Sequence, residues 1–379
     1  MIKFAPLRIS LAAVGAAVLF TTAPLSASTI DASIGPLRID VVADGLREPW
    51  GLAFLPGGGF LVTERDGDLW HFAPDGTRIE VSGVPEVWAR GQGGLLDVEA
   101  ARDFETSRDV FLTFSKPQDG GAGTALAVGR LPEGGDSLED VRVLFEMTPG
   151  GGRGQHFGSR IVEGPDGHLF LTIGDRGNAD LAQDQARHNG TVVRLDRDGA
   201  VPPDNPFVGA AGIQPEIWSY GHRNPQGLVW DNGNQRLWEI EHGPRGGDEI
   251  NRVEKGRNYG WPVISYGKEY WAPFMVGEDT HREGMEQPVK YYDPSIAPGS
   301  LLYYDGDAFP DWRGNLFAGA LKLQHLNRVE LDPEGRAIGE ERLFQDLGER
   351  IRSLTQGPQG WIYFSTDSGK VFVIKPKAT

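Results

Sequence analysis

Between residues 217 and 262 the chain sets two polar runs around a short apolar stretch. The first is Ser219-Tyr220-Gly221-His222-Arg223-Asn224-Pro225-Gln226-Gly227. The second is Glu241-His242-Gly243-Pro244-Arg245-Gly246-Gly247-Asp248-Glu249-Ile250-Asn251, followed by Asn258-Tyr259-Gly260-Trp261-Pro262. Polar, Gly/Pro-pinned loops at the ends of a strand read as site-building segments on a rigid scaffold. Proline restricts Asn224 to extended geometry and so fixes how Arg223 presents its guanidinium. Carbonyls before and after Pro244, together with Glu249, are oxygen donors of the kind a hard cation takes, although the spacing is not that of an EF-hand. The donor set suits a polyanionic ligand and a cation together.

A second group lies outside this region. His156 sits in Gly154-Gln155-His156-Phe157-Gly158-Ser159-Arg160, just before a strand, and Asp175 ends the next one in Thr172-Ile173-Gly174-Asp175. An aspartate that accepts from one imidazole nitrogen fixes the tautomer and leaves the other as a base near neutral pH. The same spacing equally fits a loop histidine and a turn aspartate. Lys322 interrupts an apolar strand, and Arg350-Ile351-Arg352 sets two guanidiniums on one face of an extended segment.

The elements that would position these residues come from one recurring unit. A turn rich in Gly, Pro and Asp leads into an apolar strand that ends in polar residues, as in Gly59-Phe60-Leu61-Val62-Thr63-Glu64 and Gly167-His168-Leu169-Phe170-Leu171-Thr172-Ile173. Further copies begin at Asp109, Arg236, Gly314 and Gly360. The spacing, roughly 45–80 residues, reaches down to that of four-stranded propeller blades. Asp-Gly and Pro-Asp-Gly turns supply the positive φ that hairpins need. Period-two patterning without an amphipathic helix predicts an all-β fold, a six-bladed β-propeller, with a sandwich or a two-domain chain as the alternative. Extra length within 255–300 predicts an inserted loop. The strand at residues 37–42 has no local partner, and it can close the ring on residues 370–374, leaving no exposed edge.

In a propeller the residues just after the repeated strands converge. Those positions are Glu64, Asp175, Glu241-His242 and Lys322, with Gln92, His156, Arg223, Arg350 and Arg352 on adjacent loops. Buried charges need partners, so cations gathered on one funnel predict a ligand with several negative charges.

Composition narrows the partners. With 53 Gly, 26 Pro, 10 Trp and 18 Phe, the chain is built for short strands and tight turns. A formal net charge of −16 argues against nucleic acid or an anionic membrane surface. Lys3 and Arg8, an apolar run over 9–20 and small residues at 23–28 form the three-part pattern of a secretory signal. Residues 1–28 are read as that signal and 29–379 as one catalytic propeller domain, periplasmic or secreted, with no membrane span in the mature chain. A chain without cysteine has neither disulfides nor thiolate metal sites.

These motifs resemble the exported quinoprotein sugar dehydrogenases that use pyrroloquinoline quinone (PQQ), namely the soluble glucose dehydrogenases and the shorter aldose sugar dehydrogenases. The matching segments are Gly91-Gln92-Gly93-Gly94-Leu95-Leu96-Asp97, His156 before Gly158-Ser159-Arg160, Thr172 to Asp175, and Gly221 to Gly227. Gly243-Pro244 before Asp248 to Asn251, Asn258 to Pro262, Lys322 and the Arg350/Arg352 pair complete them. The resemblance implies PQQ over the central channel, with a calcium ion beside it on the carbonyls of Gly243 and Pro244. A second calcium would take Glu249 and the carbonyl of Tyr259. It implies that Lys322, Arg350, Arg352 and Asn224 hold PQQ and that an aldose is oxidised at its anomeric carbon to the lactone. His156 would then be the base, Asp175 its orienting partner and Arg223 the stabiliser of charge on the quinone. Gln92 would bind the sugar hydroxyl, and Tyr270 with Trp271 would form a stacking wall. The lack of long insertions favours the aldose branch, as monomer or dimer, with the electron acceptor unspecified. Two rivals stand beside this reading: a propeller lactonase or other metal-dependent hydrolase, and a non-enzymatic sugar- or protein-binding propeller.

Overall fold

The computed structural model describes residues 28–377. The signal segment and its cleavage site, apart from Ser28, lie outside the described residues. Six antiparallel sheets form a ring. Their innermost strands are Pro49–Phe54, Leu95–Ala100, Ile161–Glu163, Pro225–Asp231, Pro298–Tyr303 and Ile351–Gln356, and each packs against the next around a central channel. The blades are numbered one to six in that order.

The recurring sequence unit supplies the second strand of every blade: Phe60–Glu64, Asp109–Gln118, Leu169–Ile173, Arg236–Glu241, Leu316–Ala320 and Ile362–Thr366. Most of these are buried on both faces, because each blade is packed between two others. That is why they carry near-continuous apolar runs more than strict alternation. The strand of blade five ends at Ala320, so Lys322 follows it instead of interrupting it as expected from sequence.

Innermost strands carry bulges that free a backbone N–H. Threonines on the second strands use it. Thr63 Oγ1 accepts from Gly51 N at 2.7 Å and donates to Leu96 O of blade two at 2.5 Å. Thr113 bridges Asp97 N and Ser159 O at 2.8 and 2.7 Å, and Thr172 bridges Arg160 N and Pro225 O at 2.9 and 3.2 Å. Each hydroxyl joins its own blade to the next.

Arg160 closes the channel. Its guanidinium stacks 3.9 Å from the ring of Trp50 in blade one and pairs with Asp97 of blade two at 2.9 Å. It donates to the carbonyls of Gln226 at 2.7 Å, Gly299 at 2.6 Å and Arg352 at 2.9 Å, in blades four, five and six. Since Arg160 belongs to blade three, one side chain ties all six blades together. Gly299 permits this approach, for a Cβ there would lie 2.6 Å from Ile351 O.

Blade six is completed from both ends of the chain. Gly35–Ala43 pairs antiparallel with Lys370–Pro376, Ile39 opposite Ile374, and Ser28–Ala32 adds an outer strand. This is the closure expected for residues 37–42. The insertion also falls where expected, between Asp248–Val253 and Lys290–Tyr292 of blade four. Among the described residues no helix is long and apolar enough to cross a membrane.

Candidate active site

One end of the channel opens into a cavity of about 330 Å³, lined among others by Gln92, Asn224, His242, Arg350, Arg352 and Asp367. Four of the site residues expected from sequence, Gln92, Asn224, Arg350 and Arg352, are thus brought together. Phe157 and Gly158, the residues after His156, also line it.

His156 lies just before the innermost strand of blade three and Asp175 just after its second strand, so the two meet at one end of the blade. The imidazole Nδ1 lies 2.6 Å from Asp175 Oδ1, with both side chains nearly enclosed. The remaining oxygen, Oδ2, accepts the indole N–H of Trp261 at 2.9 Å, and Gly177 N–H adds a bond to Oδ1 at 2.6 Å. A carboxylate so held makes Nδ1 the donor and leaves His156 Nε2 with its lone pair, without a hydrogen-bond partner among the described residues. His156 adopts φ +55°, a left-handed backbone uncommon for a non-glycine residue. Its N–H donates to Gln92 Oε1 at 2.7 Å, so Gln92 holds the His156 backbone as well as facing the cavity. Gly174 is required here, since a Cβ would lie 2.2 Å from His156 O.

Arg223 lies beside this pair. Its carbonyl accepts from Asp175 N at 2.8 Å, and its guanidinium donates to His242 O at 3.1 Å and reaches Tyr270 Oη at 3.5 Å. Glu241 Oε2 accepts the backbone N–H groups of both Arg223 and Asn224, at 2.5 and 3.2 Å. The proline-fixed presentation inferred from sequence is therefore reinforced by a buried carboxylate. Tyr270 Oη also donates to Pro244 O at 3.2 Å, which ties the hydroxyl of this largely exposed side chain to the Gly243–Pro244 turn. Asp248 shapes that turn by accepting Gly243 N and Ser295 Oγ at 2.9 Å and Ala297 N at 2.9 Å.

Burial raises the pKa of Asp248 to about 6. His242 donates Nε2–H to Pro298 O at 2.6 Å; burial pulls this imidazole down to about 3, so it stays neutral.

The late cations are arranged differently from one another. Arg350 Nε and Arg352 Nε both bond Asp367, at 2.8 and 3.0 Å. Asp367 follows the second strand of blade six, the position that in other blades yielded Asp175 and His242, and the rule that found those should have found it. Lys322 is exposed at the rim, next to the cavity-lining Leu321, with no ion pair among the described residues. Glu64 does not reach the funnel. It turns outward to Arg47 N at 2.8 Å and to the Arg47 and Arg78 guanidiniums, and Glu48 and Arg65 line the cavity in its place.

Blade four carries a buried acidic corner that sequence reading only touched. Register sets Glu241 opposite Glu249 and Glu239 opposite Asn251. Like charges directly opposite repel. His222, enclosed beneath them, lies 3.4 Å from Glu241 and 3.6 Å from Glu239, stacks on Tyr259 and bonds Ser219 Oγ at 2.9 Å. Burial lowers its pKa, but hydrogen bonds to the two glutamates prevail and push it up to about 9. Burial, then the charge of Glu241, lifts Glu239 to about 7 and Glu249 well above the usual range.

Glu239 Oε2 and Asn251 Oδ1 are buried with no hydrogen-bond partner among the described residues. Glu241, Glu249 and Tyr259 share the wall of a small adjoining void. The pair of glutamates at 239 and 241, on one face of an apolar strand, was the sequence signal for this corner.

Comparison with known proteins places the chain among sugar dehydrogenases in sequence and fold. The glucose/sorbosone dehydrogenase family model matches residues 46–374. The chain is 42% identical to the aldose sugar dehydrogenase YliI of Escherichia coli (strain K12), over 92% of this chain and 96% of that protein. It is 28% identical to quinoprotein glucose dehydrogenase B of Acinetobacter calcoaceticus, over 86% and 85%. The PQQ-bound aldose sugar dehydrogenase of Streptomyces coelicolor superposes with a TM-score of 0.74 at 28% identity, covering 93% of this chain and 99% of that one.

Proposed function

The chain belongs to the glucose/sorbosone dehydrogenase family of oxidoreductases, and from that premise we propose that it oxidises aldoses at the anomeric carbon to lactones, with PQQ and calcium, after export to the periplasm. The cavity falls within the usual range of ligand pockets. Its guanidiniums and amides fit a planar tricarboxylate, with Arg350, Arg352 and Asn224 as holding groups and Lys322 reaching from the rim. The carbonyls of Gly243 and Pro244 would hold the calcium beside it. The orphaned oxygens of Glu239 and Asn251, together with Glu249 and Tyr259 O, fit a second, structural calcium.

When bound, PQQ with its calcium supplies the two-electron acceptor for the hydride leaving the anomeric carbon. The chain does the rest. His156 Nε2 takes the proton of the anomeric hydroxyl as the C–O bond becomes a carbonyl. Asp175 holds the tautomer that makes this possible and faces the resulting imidazolium. Arg223 stabilises negative charge opposite the sugar. Gln92 donates to the sugar from the amide nitrogen that His156 does not engage, and Tyr270 covers it.

The observation that carries the reading is a buried imidazole, tied at Nδ1 and unengaged at Nε2, beside an arginine-lined cavity. Apo-protein given PQQ and calcium should bleach an electron-acceptor dye on addition of an aldose. His156→Asn should keep the PQQ absorbance and lose about 10²–10⁴-fold in turnover. Failure to bind PQQ at micromolar concentration, or full turnover in that variant, would overturn the proposal.

A further inference from the structure

The family-level roles leave Trp261 unassigned, yet it touches both halves of the reacting constellation. Its indole N–H is given to Asp175 Oδ2 at 2.9 Å, while His156 and Gly177 share Oδ1. Its ring lies 5.3 Å from the Arg223 guanidinium. The Trp261 backbone is pinned in turn: its N–H donates to Gly221 O at 2.8 Å, and its carbonyl accepts Gln183 Nε2 at 2.8 Å.

Asp175 is 1% exposed, so water cannot stand in for a lost donor. With Oδ2 unpaired, only the Gly177 N–H and the imidazole, both on Oδ1, restrain the carboxylate about its last torsion, and a buried oxygen is left without a donor. The supporting residue comes from the inserted loop of blade four, which also carries Tyr270, whereas the pair it supports belongs to blade three.

We propose that Trp261 is a positioning residue: its indole N–H locks the Asp175 carboxylate in the rotamer that holds His156 as the Nδ1–H tautomer, ready to accept a proton at Nε2. This rests on the assignment of His156 as base. A purely packing role would be served equally by any aromatic ring, and that difference is the test.

Trp261→Phe keeps the ring and removes the donor. A second substitution, replacing the indole by benzothiophene at the same position, keeps the shape as well and covers the case in which the phenylalanine variant does not fold. In the PQQ- and calcium-loaded enzyme kcat should fall about ten- to a hundredfold, as for loss of a hydrogen bond to a charged group, with the sugar KM within about threefold of wild type. In the apo-protein labelled with ¹⁵N-histidine, the His156 ring signals should move from a single Nδ1–H tautomer toward a mixture, His156→Asn serving for assignment. Wild-type kcat, or unchanged His156 ring signals, would overturn the proposal. If His156→Asn itself retained turnover, the base assignment would fail instead, and the ring signals would still decide whether Trp261 sets the tautomer.

Discussion

Arg160 and Glu239 are both enclosed charges on a β scaffold, and their surroundings are finished in opposite ways. Arg160 has a carboxylate, three carbonyls and an indole face, so its charge is answered entirely by the chain. Glu239 faces a second and a third carboxylate, with one imidazole among them and two oxygens left unanswered. A completed cluster ties blades together and needs nothing further. An incomplete one of the same burial must take up protons or a counter-charge from outside, and that separates it from a structural hub.

The largest effect should come from breaking the completed cluster. Arg160→Met strands Asp97 as a lone buried charge and should lower unfolding stability by about 3–5 kcal/mol in denaturant titration. Replacing Asp97 by Leu in the same protein should restore much of it, and no recovery would mean that Arg160 acts through its carbonyl bonds alone.

In the incomplete cluster the sign should reverse. Glu249→Gln removes a buried acid whose ionisation burial and Glu241 oppose, and should stabilise the metal-free protein as pH rises. Calcium should raise the Tm of the wild type, by a stabilisation worth about 2.7 kcal/mol at a hundredfold excess over Kd, and this substitution should abolish that rise. Calcium stabilisation that survives this change would move the ion elsewhere.

A smaller, graded effect should appear with pH. The folded-state pKa of Glu239 is raised above its ordinary 4.5 to about 7, and that of His222 above 6.5 to about 9. Folded protein therefore binds these protons more tightly than unfolded chain. The stability they contribute is complete below the ordinary values and is lost as pH rises through about 7 for Glu239 and about 9 for His222. Thermal melts of metal-stripped protein should fall across that window, and calcium should flatten the slope. An equal slope with and without calcium would detach the ion from this corner.

The two clusters were unequally legible in sequence. The repeated turn-and-strand unit marks the second strand of each blade, and strand ends then point to Asp175, His242 and the blade-four turn. An unpartnered early strand and an apolar last one announce ring closure. Arg160 and Asp97 carry no such signal, because nothing local says that residues of two blades meet at an axis. Glu64 shares the right position but is drawn outward by Arg47 and Arg78, partners set by tertiary packing. Trp261 is an aromatic in an irregular loop, without periodicity to reveal the carboxylate it faces.

Ring closure also fixes an order of events in time. Blade six takes one strand from residues 35–43 and its partner from 370–376, so it cannot exist until the chain's last segment has arrived. Arg350, Arg352 and Asp367 belong to that same sector. Pairing at such sequence separation is slow compared with hairpin formation inside the other blades. The Arg350, Arg352 and Asp367 cluster can form on its local hairpin, but the blade that carries it is completed only by this late pairing. A chain lacking residues 370–376 should keep its local hairpins and leave the ring open beside Arg350, Arg352 and Asp367.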